Sequence, residues 1–158
     1  MNKKEFDYYI FIDYSEDIIG FIIVESAKIK EILLKISKLH HYKEVKHDKA
    51  YLLAIRKRFE KDKIIASLLK YRIKEVKINI DLFAEIIEFL RKNEMAKIFV
   101  SIDDNFYVSF LKFINALEQK NNLFVVRESK LRKHSIEYKL NLIIDNLLTL
   151  ERRKRKNE

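Results

Sequence analysis

The 158-residue chain contains no cysteine, no proline, no tryptophan and a single glycine, Gly20. Without cysteine there is no disulfide and no thiolate metal site, which suits a reducing compartment. One glycine cannot build a Gly-rich phosphate loop, so P-loop and Rossmann-type nucleotide chemistry is set aside. No apolar run approaches the roughly 20 residues that a membrane-spanning helix requires. The start, Met1-Asn2-Lys3-Lys4-Glu5, lacks the shape of a signal peptide. These absences lead to the expectation of a soluble, cytoplasmic protein with no membrane partner. Histidines 40, 41, 47 and 134 lie in charged segments without a metal-ligand spacing and are expected to be exposed.

What is present is a core. Hydrophobic residues make up 48% of the chain, with 11 Phe and 8 Tyr, enough for one domain with a real interior. The aromatics are expected to pack there rather than to stack on bases. The net charge is +9, from 33 basic and 24 acidic residues, and Arg152-Arg153-Lys154-Arg155-Lys156 supplies five of the cations in one run. The expected organisation is therefore a single domain over 1–151 followed by a basic tail over 152–158. A basic balance is compatible with a nucleic-acid partner, because neutralising phosphates supplies most non-specific affinity.

The pattern opens with Tyr8–Glu25, two runs rich in Ile, Phe, Tyr and Val joined by a polar turn at Tyr14–Asp17. These residue types suit a pleated, buried surface, and the short join predicts an antiparallel hairpin. Ala27–Leu39 has helical apolar spacing, and His40–Lys43 reads as a loop. Asp48 is a candidate N-cap for a helical region running to about Lys70, divided near Lys61-Asp62-Lys63. Lys74–Ile80 alternates with period two and predicts an edge strand, after which Asp81 caps a helix to about Lys92. Ala96–Ile102 reads as a strand, Phe106–Gln119 as a helix, Leu123–Val126 as a strand and Glu128–Lys133 as a charged loop. Ser135 starts the last helix. A hairpin followed by alternating helices and strands means an α/β domain with a mixed sheet.

The acids carry the chemical question. Asp13 ends the first apolar run, and Asp103, with Asp104 beside it, closes a later one. Asp145 lies inside the last helix at the border of its apolar face, and Glu44 precedes the long helical region. Carboxylates from different elements that meet at one end of a sheet make an oxygen-rich site suited to Mg²⁺ or Mn²⁺. Each has a plainer reading as well. Asp13 can begin a turn, Asp103 or Asp104 can cap a helix, Asp145 can face solvent or a lysine, and Glu44 can be ordinary surface.

The order of these features resembles the ribonuclease H-like superfamily, whose members open with a hairpin carrying a catalytic Asp. It is similar in particular to an uncharacterised branch in which the first strand ends in an Asp-Glu-Ser-Gly-like turn. Ile12-Asp13-Tyr14-Ser15 stands for that motif, Glu44-Val45-Lys46 for an acidic Glu-x-Lys segment, and Ile102-Asp103-Asp104 for a strand ending in Asp. Leu140-Asn141-Leu142-Ile143-Ile144-Asp145 stands for the C-terminal helix that carries an Asp. Tyr14 takes the place of the second acid, Glu16 that of the glycine, and Asn141 that of a glutamine. The resemblance implies an RNase H-like mixed sheet and a divalent-metal-dependent nuclease acting on DNA or RNA. Asp13, Asp103 and Asp145 would be its catalytic ligands, Glu44 would add to the metal set, and Asp104 would stand in for Asp103 if the register is shifted by one. Lys130, Arg132, Lys133 and the run Arg152, Arg153, Lys154, Arg155, Lys156 would contact phosphates. The rival expectation is a catalytically degenerate nucleic-acid-binding or protein-interaction module on the same scaffold, and a third is a small assembly subunit.

Overall fold

In the computed structural model of the chain, the opening runs form the expected hairpin, β1 over Tyr8–Ser15 and β2 over Ile18–Glu25, paired antiparallel from Tyr8↔Glu25 to Ser15↔Ile18. The structure describes residues 6–41, 44, 48–92, 96–101, 104–115, 123–127 and 131–156. The turn is only Glu16-Asp17, and Glu16 takes a left-handed φ of 55°. β2 is buried on both faces over Ile18–Val24, which explains why its sequence is a continuous apolar run rather than an alternation.

Five strands join in the order β3-β2-β1-β4-β5, where β3 is Lys70–Glu75, β4 Ala96–Ser101 and β5 Leu123–Arg127. β1, β4 and β5 run parallel to one another, and β2 runs antiparallel to both of its neighbours. The helices are α1 (Ile29–Lys35), α2 (Lys49–Lys61), α3 (Asn79–Lys92), α4 (Asp104–Asn115) and α5 (Ile136–Lys156). The sheet is therefore mixed and flanked by helices, the α/β class expected from the pattern.

Strand alternation separates two cores. Phe11, Ile18, Ile22, Val24 and Phe99 pack against α1, α2 and α5, whereas Ile10, Ile12, Ile19, Phe21, Ile23 and Ile98 pack against α3 and α4. β1 is thus covered on both sides, and α5 lies across β1 and β2. Gly20 marks the closest approach there. A Cβ at this position would stand 3.0 Å from the Arg72 carbonyl oxygen, 3.0 Å from Ile73 Cγ1 and 3.1 Å from Ile144 Cδ1 of α5.

The expected edge strand at Lys74–Ile80 is corrected: β3 spans Lys70–Glu75, and residues 76–78 turn into α3. The reason is the partner. β2 begins at Ile18, which pairs with Glu75, and the Val76 N–H closes onto the Asp17 carbonyl at 2.8 Å, so no ladder exists beyond that point. For the same reason Asp81 lies in the first turn of α3 instead of capping it. The helix ends at Lys61, with Lys63 at a left-handed φ of 52°. The helical region expected to reach about Lys70 is corrected: beyond the break there is only a short 3-10 turn at Ile65–Ser67, because Lys70 already pairs with Ile23 of β2. Asp48 caps α2 as expected, its Oδ1 accepting from the Tyr51 N–H at 2.9 Å. Among the described residues, no helix is long and apolar enough to cross a membrane.

Candidate functional site

Asp13 lies within β1, three residues before the hairpin turn, and only 7% of its surface is exposed. Its Oδ1 accepts from the Tyr14 N–H at 2.8 Å. Alternation puts position 13 on the same sheet face as Phe11, the face that α5 covers. In the ladders its partners are Gly20 on β2 and Ser101, the last residue of β4. The missing side chain at Gly20 lets Ile144 descend onto the sheet directly opposite Asp13.

The next residue of α5 is Asp145, also 7% exposed. It belongs to a polar stripe at helical spacing, Asn141, Asp145 and Thr149, all buried within a helix otherwise packed through leucine and isoleucine. Thr149 Oγ1 donates to the Asp145 carbonyl at 3.0 Å. One turn further along the stripe, Arg152 is 11% exposed at its side chain and donates from Nη1 to Ser15 Oγ at 2.6 Å. The same guanidinium lies 3.7 Å from Glu16, and Lys156 reaches the other Glu16 oxygen at 3.6 Å. The end of α5 is thereby pinned to the hairpin turn, three residues from Asp13. The run from Arg152 to Lys156 forms the last turns of α5, so it is helix where a separate tail was expected.

A second polar group fastens α5 from the side. Asn146 Nδ2 donates to the carbonyls of His40 at 2.9 Å and Leu142 at 2.8 Å, while its Oδ1 accepts from the Tyr51 hydroxyl at 2.8 Å. The Tyr51 oxygen in turn accepts from the His40 N–H at 2.8 Å. Burial pushes the Tyr51 hydroxyl above its usual range, the His40 hydrogen bond pulls it back, and the charges of Asp145, Glu44 and Asp48 push it up again. This hydroxyl therefore lies within electrostatic reach of both Asp145 and Glu44.

Glu44 is engaged elsewhere: its oxygens lie 3.6 Å from His40 Nδ1 and 3.5 Å from Lys133 Nζ. Arg132 and Lys133 are exposed just before α5. His40 and His134 are exposed as expected, and His41 is half-buried. Asp104 is the first residue of α4. Asp103, Lys130 and His47 lie outside the described residues.

The structure thus buries Asp13 on the sheet face that α5 covers and Asp145 within α5, and gives Glu44 partners in His40 and Lys133. Among the described residues, no three His, Asp or Glu side chains are grouped closely enough to hold a metal ion. Sequence reasoning missed the Asn146–Tyr51–His40 network and the inward turn of Arg152. The available signal for the network was Asn146 itself, an amide set among Ile143, Ile144, Leu147 and Leu148, which only hydrogen-bonding partners make tolerable in a buried helix face. No protein-family model matches the chain, and no curated protein matches it.

Proposed function

We propose that this chain is an RNase H-like domain that hydrolyses phosphodiester bonds in DNA or RNA with Mg²⁺ or Mn²⁺. The observation that carries the reading is a pair of buried carboxylates, Asp13 on the central strand and Asp145 on the helix packed across it. Carboxylates are seldom buried, and two of them kept within the packed body of the domain supply the oxygen donors that a hard cation takes. The hairpin that opens the fold and carries Asp13 agrees with the resemblance in the sequence. So does the left-handed φ at Glu16, the position where the resembled branch has glycine.

The donor set fits a hard cation, since both side chains offer oxygen. Two carboxylates leave the shell of a divalent ion incomplete, and the resemblance in the sequence supplies Asp103 as the third ligand. Glu44 joins only by giving up His40 and Lys133. Held by Asp13, Asp145 and Asp103, divalent ions would supply an activated water and charge stabilisation for the leaving oxygen of the phosphodiester. The protein's own part is to fix the two carboxylates on rigid elements, to exclude water behind them with Phe11, Ile144 and Leu148, and to present Arg132 and Lys133 to phosphates.

The test is calorimetric titration with Mn²⁺ and Mg²⁺, with and without an oligonucleotide, on the wild type, Asp13→Asn and Asp145→Asn. Binding that disappears in both variants, with strand scission that EDTA abolishes, is expected. A wild type that neither binds metal at millimolar concentration nor cleaves ends the nuclease reading. The second reading, a non-catalytic nucleic-acid-binding module, is favoured by Arg152, a cation already seated beside the Asp13 strand end. It predicts salt-sensitive oligonucleotide binding that survives EDTA, without scission.

A further inference from the structure

α2 and α5 leave a groove of about 430 Å³ between them on the outside of the domain. This volume lies within the roughly 300–1,000 Å³ that ligand clefts span. Its floor is apolar, made by the buried side chains of Leu52, Phe59 and Leu147. Leu53, 55% exposed, and Ile65, 41% exposed, extend the apolar wall into solvent. Neither belongs to the faces that α2 and the following turn bury, so the fold itself does not require an aliphatic side chain at either position.

The charges around the groove are unbalanced. Glu60 lies 4.0 Å from Arg56, and Glu151 lies 3.1 Å from Arg155, so both acids at the rim have a cation of their own. Lys49, Arg153 and Lys154 also line the groove and form no ion pair among the described residues. An apolar floor under a rim with surplus positive charge is complementary to a molecule with an aliphatic body and an anionic head. Burial of the chain supplies affinity in proportion to the area removed from water, and the cations select the head group.

We propose that the α2–α5 groove binds a free amphiphilic anion, an aliphatic chain ending in a carboxylate or phosphate. The site is separate from the acidic one. Lys154 is nine residues beyond Asp145, which at about 100° per residue places it half a turn around α5 from the Asn141–Asp145–Thr149 stripe. Anion binding in the groove is therefore independent of metal binding at the acids.

The experiment is a titration of the isotopically labelled full chain with dodecanoate, kept below its micelle concentration and followed by amide chemical shifts. Saturable shifts confined to 49–60, 65–71 and 147–154 are expected. Dodecyltrimethylammonium, with the same chain and the opposite head charge, should bind at least tenfold more weakly. The double variant Lys49→Glu/Lys154→Glu, at two exposed positions, should lose at least tenfold in dodecanoate affinity. Leu53→Asp should lose a similar factor while Leu53→Met retains binding, and an unchanged amide spectrum shows that each variant is folded. Equal affinity for the two head groups, shifts outside the groove, or binding to anionic vesicles without binding of the monomer would each overturn the proposal.

Discussion

Gly20→Ala probes the contact on which the candidate site is built. The new methyl group would meet the Arg72 carbonyl oxygen and Ile73 Cγ1 at 3.0 Å and Ile144 Cδ1 at 3.1 Å, all closer than ordinary contact. The three neighbours do not yield equally. Ile144 Cδ1 is the tip of a flexible side chain, whereas the Arg72 carbonyl belongs to the β2–β3 ladder, where Phe21 pairs with Arg72 and Gly20 with Ile73. The strand must shift or α5 must rise. Overpacking of this kind costs about 1–3 kcal/mol. Replacing Gly by Ala restricts the unfolded chain and returns about 0.4–1 kcal/mol. The net expectation is a loss of about 1–2 kcal/mol, and for a chain of this size each kcal/mol lowers Tm by about 2–4 °C.

A double-mutant cycle assigns the cause. Ile144→Val removes Cδ1 and alone should cost about 0.5–1.5 kcal/mol. In the Gly20→Ala background it should cost less, with a coupling of about 0.5 kcal/mol, because the removed methyl group also relieves the new contact. Coupling much larger than this is not expected, since the Arg72 oxygen remains in place. Denaturant midpoints for the four proteins measure the cycle. A Gly20→Ala protein as stable as the wild type, or strictly additive variants, would refute the claim that α5 rests on the missing side chain. If Asp13 and Asp145 hold a metal ion as proposed, the same substitution should also weaken its binding, since it disturbs the helix that carries Asp145.

Three further outcomes are expected. Tyr51→Phe removes the hydroxyl that joins His40 to Asn146, leaving the Asn146 Oδ1 without it; a loss of about 1–3 kcal/mol and faster amide exchange at His40 should follow, and a loss below about 0.5 kcal/mol would contradict the network. Glu16→Gly relieves a left-handed residue that costs roughly 1–2 kcal/mol, but it removes an exposed pair with Lys156 worth about 0.2–1 kcal/mol and a partly buried one with Arg152. It should be the more stabilising at high salt, where those pairs are screened, and a Tm gain that is larger at low salt would sink this account. Tyr71 is pushed up to about 12 by burial, then by the Glu151 charge, with Arg155 opposing. Its folded state therefore holds the proton more tightly than the unfolded chain, whose group titrates near 10. The resulting stability is complete below pH 10 and is lost as pH rises through about 12, so Tyr71→Phe should flatten that alkaline decline in thermal unfolding.

The sequence by itself determined the elements whose signals are local. The hairpin was legible because Ile, Phe and Val fill both faces of β2, and α2 because Asp48 caps it and Leu52, Ile55 and Phe59 recur at helical spacing. The mixed sheet followed from the order of those elements. Asp13 and Asp145 stood out because each is a carboxylate at the edge of an apolar pattern. What only the tertiary structure decided depends on partners distant in the chain. The end of β3 is set by where β2 begins, so an alternating pattern at 74–80 had no ladder to join. Only packing shows that Arg152 and Lys156 meet Glu16, and that Glu44 meets His40 and Lys133. A charge's role is fixed by the charge it meets, and that meeting is a property of packing, which no local pattern encodes.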